Sequence, residues 1–127
     1  MRTEALRKVV TALDRLGVET VYQEIKWSKA EKQVAREAFD AAYERECRAI
    51  RAKVVQVLER QDDIRQIWRV HDYLSEERRA TDRKYDYRYS QLDMVFGILL
   101  REGWLKETEL GGLGQDKLQR IKAFASL

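Results

Sequence analysis

The only histidine of the chain, His71, stands beside Asp72, and a metal site or a histidine-based acid–base group would have to be built around that pair. Neighbours at i and i+1 point about 100° apart on a helix, so these two side chains are not expected to converge. A zinc site with a single histidine needs several cysteines, and Cys47 is the only one. His71 therefore reads as a structural or interface histidine. Cys47 has no partner for an internal disulfide and reads as a small core residue. The run Gly111-Gly112-Leu113-Gly114 lacks the preceding strand and the Gly-Lys-Ser/Thr ending of a phosphate loop, which leaves a connector. With no nucleophile–base pair, metal set or cofactor motif in view, the chain is expected to act by binding and not as an enzyme, without cofactor or metal.

What stands out instead is the stretch 64–89, in which Ile64, Ile67, Trp68, His71, Tyr73 and Leu74 recur at helical spacing among tyrosines and arginines. One face of such a helix can enter a core. The other carries Trp, Tyr and Arg, which supply most of the binding energy at protein interfaces because they bring large area or forked charge at low entropy cost. Asp72 and Arg78 or Arg79 lie near two helical turns apart and share a face without having to touch. By base rate such a pair is a solvated charged face. The company of Trp68, Tyr73, Tyr85 and Tyr87 favours a recognition surface.

The elements that must position this surface are helical. The chain has 127 residues, 44% of them hydrophobic, no proline, and 37% charged, enough for one core of ordinary size or one core plus an appendage. The 25 basic and 22 acidic residues give +3, but the signs alternate along the chain. Phosphate binding needs positive charge that is not locally neutralised. A helical nucleic-acid-binding regulator is thus the competing reading, weakened because no helix carries a groove-reading run of Arg, Lys, Asn and Gln free of acids. The chain shows no signal peptide and no apolar run approaching a membrane span, and reads as a soluble protein of a reducing compartment.

In order, Leu6, Val9, Val10, Leu13 and Leu16 mark an amphipathic helix over residues 3–16, stopped by Gly17, and residues 18–26 form an uncertain extended linker. Ser28 and Glu31 form a capping box that opens a helix expected to run Lys29–Arg60, roughly 48 Å long. A compact domain of this size has a radius of gyration of about 14 Å. So long a helix needs a partner surface, and two readings stay open: antiparallel pairing with a second copy through Phe39, Ile50, Val54 and Val57, or a fold back on its own chain at 61–63, with Asp62 as N-cap of the next helix. Further helices are expected at about 63–79, from Thr81 or Asp82 to Arg101 ending at Gly103, and at 115–125 with Leu118, Ile121 and Phe124 inward. Thr108 is expected to cap a short turn. The fold class is all-α: an extension at 1–26, a long helical dimerisation stalk at 27–80 and a small C-terminal helical head at 81–127 packed on its own core.

At W-S-K-A-E (27–31), F-D-A-A-Y-E-R-E (39–46), W-R-V-H-D-Y-L-S-E-E-R (68–78), D-R-K-Y-D-Y-R (82–88), E-G-W-L (102–105) and D-K-L (116–118), the sequence resembles the fluorescence recovery proteins of cyanobacteria. The resemblance runs in order from residue 27 nearly to residue 127, and residues 1–26 fall outside it. It implies an all-helical homodimer that binds the photoactivated form of orange carotenoid protein, speeds its return to the resting form, and so ends non-photochemical quenching at the phycobilisome. It implies neither a nucleic-acid partner nor an integral membrane segment. It also implies a cytoplasmic location, extending to the cytoplasmic face of the thylakoid membrane. Carried over by position, the partner-binding residues are Trp68, His71, Asp72 and Arg78, with Arg120 in the head.

Overall fold

The computed structural model describes residues 26–60 and 63–127. These form helices α1 (Lys29–Arg60), α2 (Gln66–Lys84), α3 (Leu92–Glu102) and α4 (Gln115–Ala125), with a 3-10 turn at Glu107–Leu110 and no strand among the described residues. The expected helix at 3–16, the stretch 18–25 and the Asp62 cap lie outside the described residues.

The start of α1 follows from its capping box: Ser28 Oγ accepts the Glu31 amide at 3.1 Å, and Glu31 Oε1 accepts the Ser28 amide at 3.0 Å. The helix then runs unbroken for 32 residues, since neither glycine nor proline occurs in it. Beyond residues 61–62 the chain turns back. Asp63 Oδ1 accepts the Arg65 amide at 3.0 Å, close to the start of α2. The return is antiparallel, with the Lys53 ammonium 4.7 Å above the Tyr73 ring near the turn and Lys84 bonded to Glu46 further along. Of the two readings left open for the long helix, the fold back on its own chain is present within one molecule.

One core joins the N-terminal half of α1 to everything after α2. Ala35, Ala38, Phe39 and Ala42 pack with Leu92, Val95, Phe96 and Leu99 of α3, with Leu105, Leu110 and Leu113 of the connections, and with Ile121 of α4. The head was expected to own its core, but the small residues of α1 let α3 and α4 lie close and share it. Phe39, grouped by sequence with the dimer-forming stripe, belongs to this core instead: the rings of Tyr85 and Tyr87 meet it edge-on at 5.3 and 4.9 Å.

The expected boundary near residue 80 also moves. Helix α2 continues through Thr81 to Lys84, and 85–91 is not helical. In Y-D-Y-R-Y (85–89) Tyr85 and Tyr87 turn inward onto Phe39, and Tyr89, still exposed, lies against the Trp27 ring. Asp86 and Arg88 alternate outward and pair with each other at 2.6 Å. That period of two is the pattern of extended chain. Helix α3 ends as expected at Gly103, whose φ of 85° is the left-handed conformation that favours glycine. Thr108 lies within the 3-10 turn; the cap is the Glu109 carboxylate, which accepts the Lys106 amide at 3.0 Å.

Candidate interaction site

Helix α2 carries Trp68, His71, Asp72 and Arg78 within about 15 Å of axial rise. The indole of Trp68 is 65% exposed, with Ile67 at 49% and Ile64 at 81% beside it. Together the three leave an exposed apolar patch at this end of the hairpin. His71 and Arg78 face the groove between α2 and α1, while Trp68 and Asp72 occupy the adjoining outer flank.

The groove has a volume of about 610 Å³, with Tyr43, Cys47 and Ile50 of α1 on one wall and His71, Leu74 and Arg78 of α2 on the other. Its α1 wall was not foreseen as part of the binding site. The spacing of Tyr43, Cys47 and Ile50 at i, i+4 and i+7 is the signal that places them on one face. Cys47, expected in the core, is only half-buried there.

One side-chain contact differs from expectation. His71 Nδ1 lies 3.4 Å from Asp72 Oδ1 although the residues are neighbours, because both side chains are exposed and free to swing together. Arg78 pairs weakly with Asp82 at 3.4 Å, one turn on, and not with Asp72; its side chain is 82% exposed. A pair so exposed costs little to open, which leaves the Arg78 fork accessible to a partner carboxylate or carbonyl.

Arg120 is placed differently from the rest. Its guanidinium Nε donates to Asp93 Oδ2 at 3.0 Å, its Nη2 lies 3.6 Å from Asp116, and the side chain is largely buried in the head. The structure therefore does not bring Arg120 to the α2 surface, and its visible work is to neutralise Asp93. Burial pushes the Asp93 carboxyl up to about 6 even against the pull of Arg120.

Three polar joints hold α2 and the head against α1, and none was apparent in the sequence. Glu46 accepts both the Tyr85 hydroxyl at 2.8 Å and the Lys84 ammonium, which also reaches Glu102 at 2.6 Å. Burial first, and then the Glu46 carboxylate, raise the Tyr85 phenol well above its ordinary range. Arg45 forks onto Glu109 at 2.7 and 2.8 Å and donates to the Trp104 carbonyl at 3.0 Å. Glu31 uses its second oxygen to accept the Gly114 amide at 2.9 Å and also pairs with Lys117 at 3.1 Å. The Ser28 amide, aided by Gly114 and Lys117, outweighs desolvation and lowers the Glu31 carboxyl to about 2.

Among the described residues no three His, Cys, Asp or Glu side chains gather as metal ligands, and no helix is long and apolar enough to cross a membrane. The arrangement offers an exposed aromatic, a forked cation and an open groove on a rigid hairpin.

Comparison with known proteins supplies the context. The family model described as photoprotection regulator fluorescence recovery protein matches residues 27–125. The fluorescence recovery protein of Synechocystis sp. PCC 6803 is 41% identical over 104 residues, 82% of this chain and 95% of that protein. Its solved structure superposes with a TM-score of 0.75 at 41% identity, covering 80% of this chain and all of that one. The structure of the Fremyella diplosiphon fluorescence recovery protein gives a TM-score of 0.74 at 43% identity with the same coverage.

Proposed function

Because this chain belongs to the fluorescence recovery protein family, a family of photoprotection regulators, we propose that it binds photoactivated orange carotenoid protein and accelerates its return to the resting form, ending quenching at the phycobilisome. The observation that carries the reading is the exposed Trp68 on α2, flanked by Asp72 and, across the helix, by His71 and the open Arg78. The proposed contact set is Trp68, His71, Asp72 and Arg78. Arg120 enters it only as a support of the head.

The mechanism requires no bond chemistry. A protein that speeds relaxation must bind the compact state, or the transition state leading to it, more tightly than the open state, since equal affinity shifts nothing. Each tenfold acceleration requires about 1.4 kcal/mol of such preference, an amount that one desolvated arginine fork or one buried indole can supply.

The proposed active form is a homodimer in the cytoplasm. Beyond the groove, Val55 and Leu58 on α1 are exposed together with Ile64 and Ile67; Val54 and Val57 there, and Ile50 at the groove's edge, are only partly covered. This apolar end of the hairpin suits a second copy. The nucleic-acid alternative finds less support, because basic groups across the surface are already matched by nearby acids, as in Arg36–Asp40, Arg48–Glu44 and Lys122–Glu107.

The test is to mix the purified chain with photoactivated orange carotenoid protein and follow colour recovery in the dark. Faster recovery with increasing chain is expected. Recovery that stays unchanged at saturating chain rejects the proposal.

A further inference from the structure

Glu46 of α1 is only 8% exposed, and both of its oxygens are engaged. Oε1 accepts the Tyr85 hydroxyl at 2.8 Å, and the Lys84 ammonium lies 2.6 Å from Oε1 and 2.8 Å from Oε2. Lys84 is the last residue of α2, and Tyr85 follows it as the cap. The same ammonium reaches Glu102 at the end of α3 at 2.6 Å, while the Tyr85 ring stands edge-on to Phe39 and Tyr43 of α1. Beside Glu46, Arg45 forks onto Glu109. Adjacent side chains of a helix point about 100° apart. One turn of α1 thus grips the end of α2 with Glu46 and the connection after α3 with Arg45.

Stability alone is a poor reason for a buried ion pair at this point. Taking the charges out of water offsets most of their attraction, and apolar side chains of the same volume would hold the helices together as well. What charge-assisted hydrogen bonds add is a fixed direction. Direction matters here because α2 is a lever. Arg78 lies about 9 Å and Trp68 about 24 Å along the helix from Lys84. Each 10° of swing at the joint would carry Arg78 about 1.5 Å and Trp68 about 4 Å out of place, whereas a contact set works when held to within about 0.5 Å and 10–20°.

We propose that Glu46, through Lys84 and Tyr85, is a positioning residue for the partner-contact surface: the joint sets the angle of α2 to the head and thereby the place where Trp68 and Arg78 are presented. The proposal rests on the reading of that surface as the contact with orange carotenoid protein. Glu46 itself touches no partner and acts only through α2.

The angle can be read directly. Nitroxide labels at Arg69→Cys on α2 and Gln119→Cys on α4, both exposed, report the distance between α2 and the head by pulsed electron resonance. Cys47, the only cysteine, is replaced by serine, and labelled chain is diluted with unlabelled chain so that only distances within one molecule count. Glu46→Gln keeps the volume and leaves Lys84 its bond to Glu102. With helicity kept, it is expected to shift or broaden the distance distribution by about 4 Å and to reduce the acceleration of colour recovery about fivefold or more. A role confined to stability would lower the denaturation midpoint and leave both readouts at parent values. An unaltered distribution overturns the proposal, and so does an altered one with recovery as fast as the parent's. Should Glu46→Gln fail to fold, Tyr85→Phe keeps the ring against Phe39 and Tyr43, removes only the hydroxyl, and is judged by the same two readouts. The distances involve no carotenoid protein, so failure of the joint and failure of the proposed function, seen as no acceleration by the parent, are separately visible.

Discussion

At the scale of single residues, Arg78 and Arg120 show how one side-chain type serves two ends. Arg120 is enclosed with Asp93, whose second oxygen, Oδ1, is buried without a hydrogen-bond partner, so the guanidinium there offsets a desolvated charge. Arg78 is almost fully in water and only loosely paired with Asp82, so it contributes little to folding and has its whole fork to offer. The Arg78→Lys variant tests that division. Lysine keeps the charge but cannot make two parallel hydrogen bonds in one plane. We expect normal helicity, unchanged oligomeric state and a loss of recovery activity of about tenfold or more, the size of one bidentate contact. Full activity in a folded Arg78→Lys chain would defeat the anchor role, and lost helicity would make the arginine structural.

At the scale of elements, the limits of α1 and α4 were legible because their end signals are local. Ser28 and Glu31 announce the first, and the glycine run before Gln115 announces the second. Helix α2 and the start of α3 were misread because charge alone does not stop a helix. The real signal is tyrosine at every second position from Tyr85 to Tyr89, which marks extended chain whose Tyr85 and Tyr87 pack on Phe39 and not a binding surface. Of the candidate site, the α2 residues were legible as a motif. The groove was not, since it exists only once α2 folds back on α1. Gly97 is a further case: an added Cβ would stand 2.4 Å from Phe124 Cβ and 2.9 Å from the Ile121 carbonyl oxygen, so α3 and α4 touch where the glycine lies. Gly97→Ala gains helix propensity of about 1 kcal/mol but forces the helices apart. Overpacking of this kind costs about 1–3 kcal/mol, and the backbone contact places this case at the upper end. A lowered denaturation midpoint at unchanged m-value is expected, and a raised midpoint would mean that the two helices can separate freely.

At the scale of the whole molecule, the hairpin divides into an end locked to the head and an end with open apolar side chains, and the proposed association would use the second. Val54→Glu places a charge in the stripe proposed to meet a second copy, where burial without a partner costs several kcal/mol. Sedimentation should show the variant as monomer at concentrations where the parent is dimeric; a parent already monomeric at micromolar concentration would refute the association. The locked end should give stability a distinct pH profile, because two carboxyls there, the half-buried Glu31 and the buried Asp93, are shifted in opposite directions. Glu31 is lowered to about 2 by the Ser28 amide, with Gly114 and Lys117 adding to it. Its contribution is therefore fully present above the ordinary glutamate range and is lost as pH falls through about 2. Asp93 is raised to about 6 by burial, with Arg120 and Lys117 opposing and Asp116 reinforcing the rise. Its folded form holds the proton more tightly than the unfolded form, so its contribution is present below the ordinary aspartate range and is lost as pH rises through about 6. Stability should thus climb from pH 2 to about 4.5 through Glu31 and decline from about 4 to 6 through Asp93, with little further change from either group up to neutrality. Denaturant titrations across this range can separate the two limbs: Glu31→Gln should flatten the acid climb alone, and Asp93→Asn should remove the decline alone. If Asp93→Asn leaves the decline between pH 4 and 6 in place, the buried carboxyl is not its source, and the ion pair with Arg120 holds Asp93 ionised throughout.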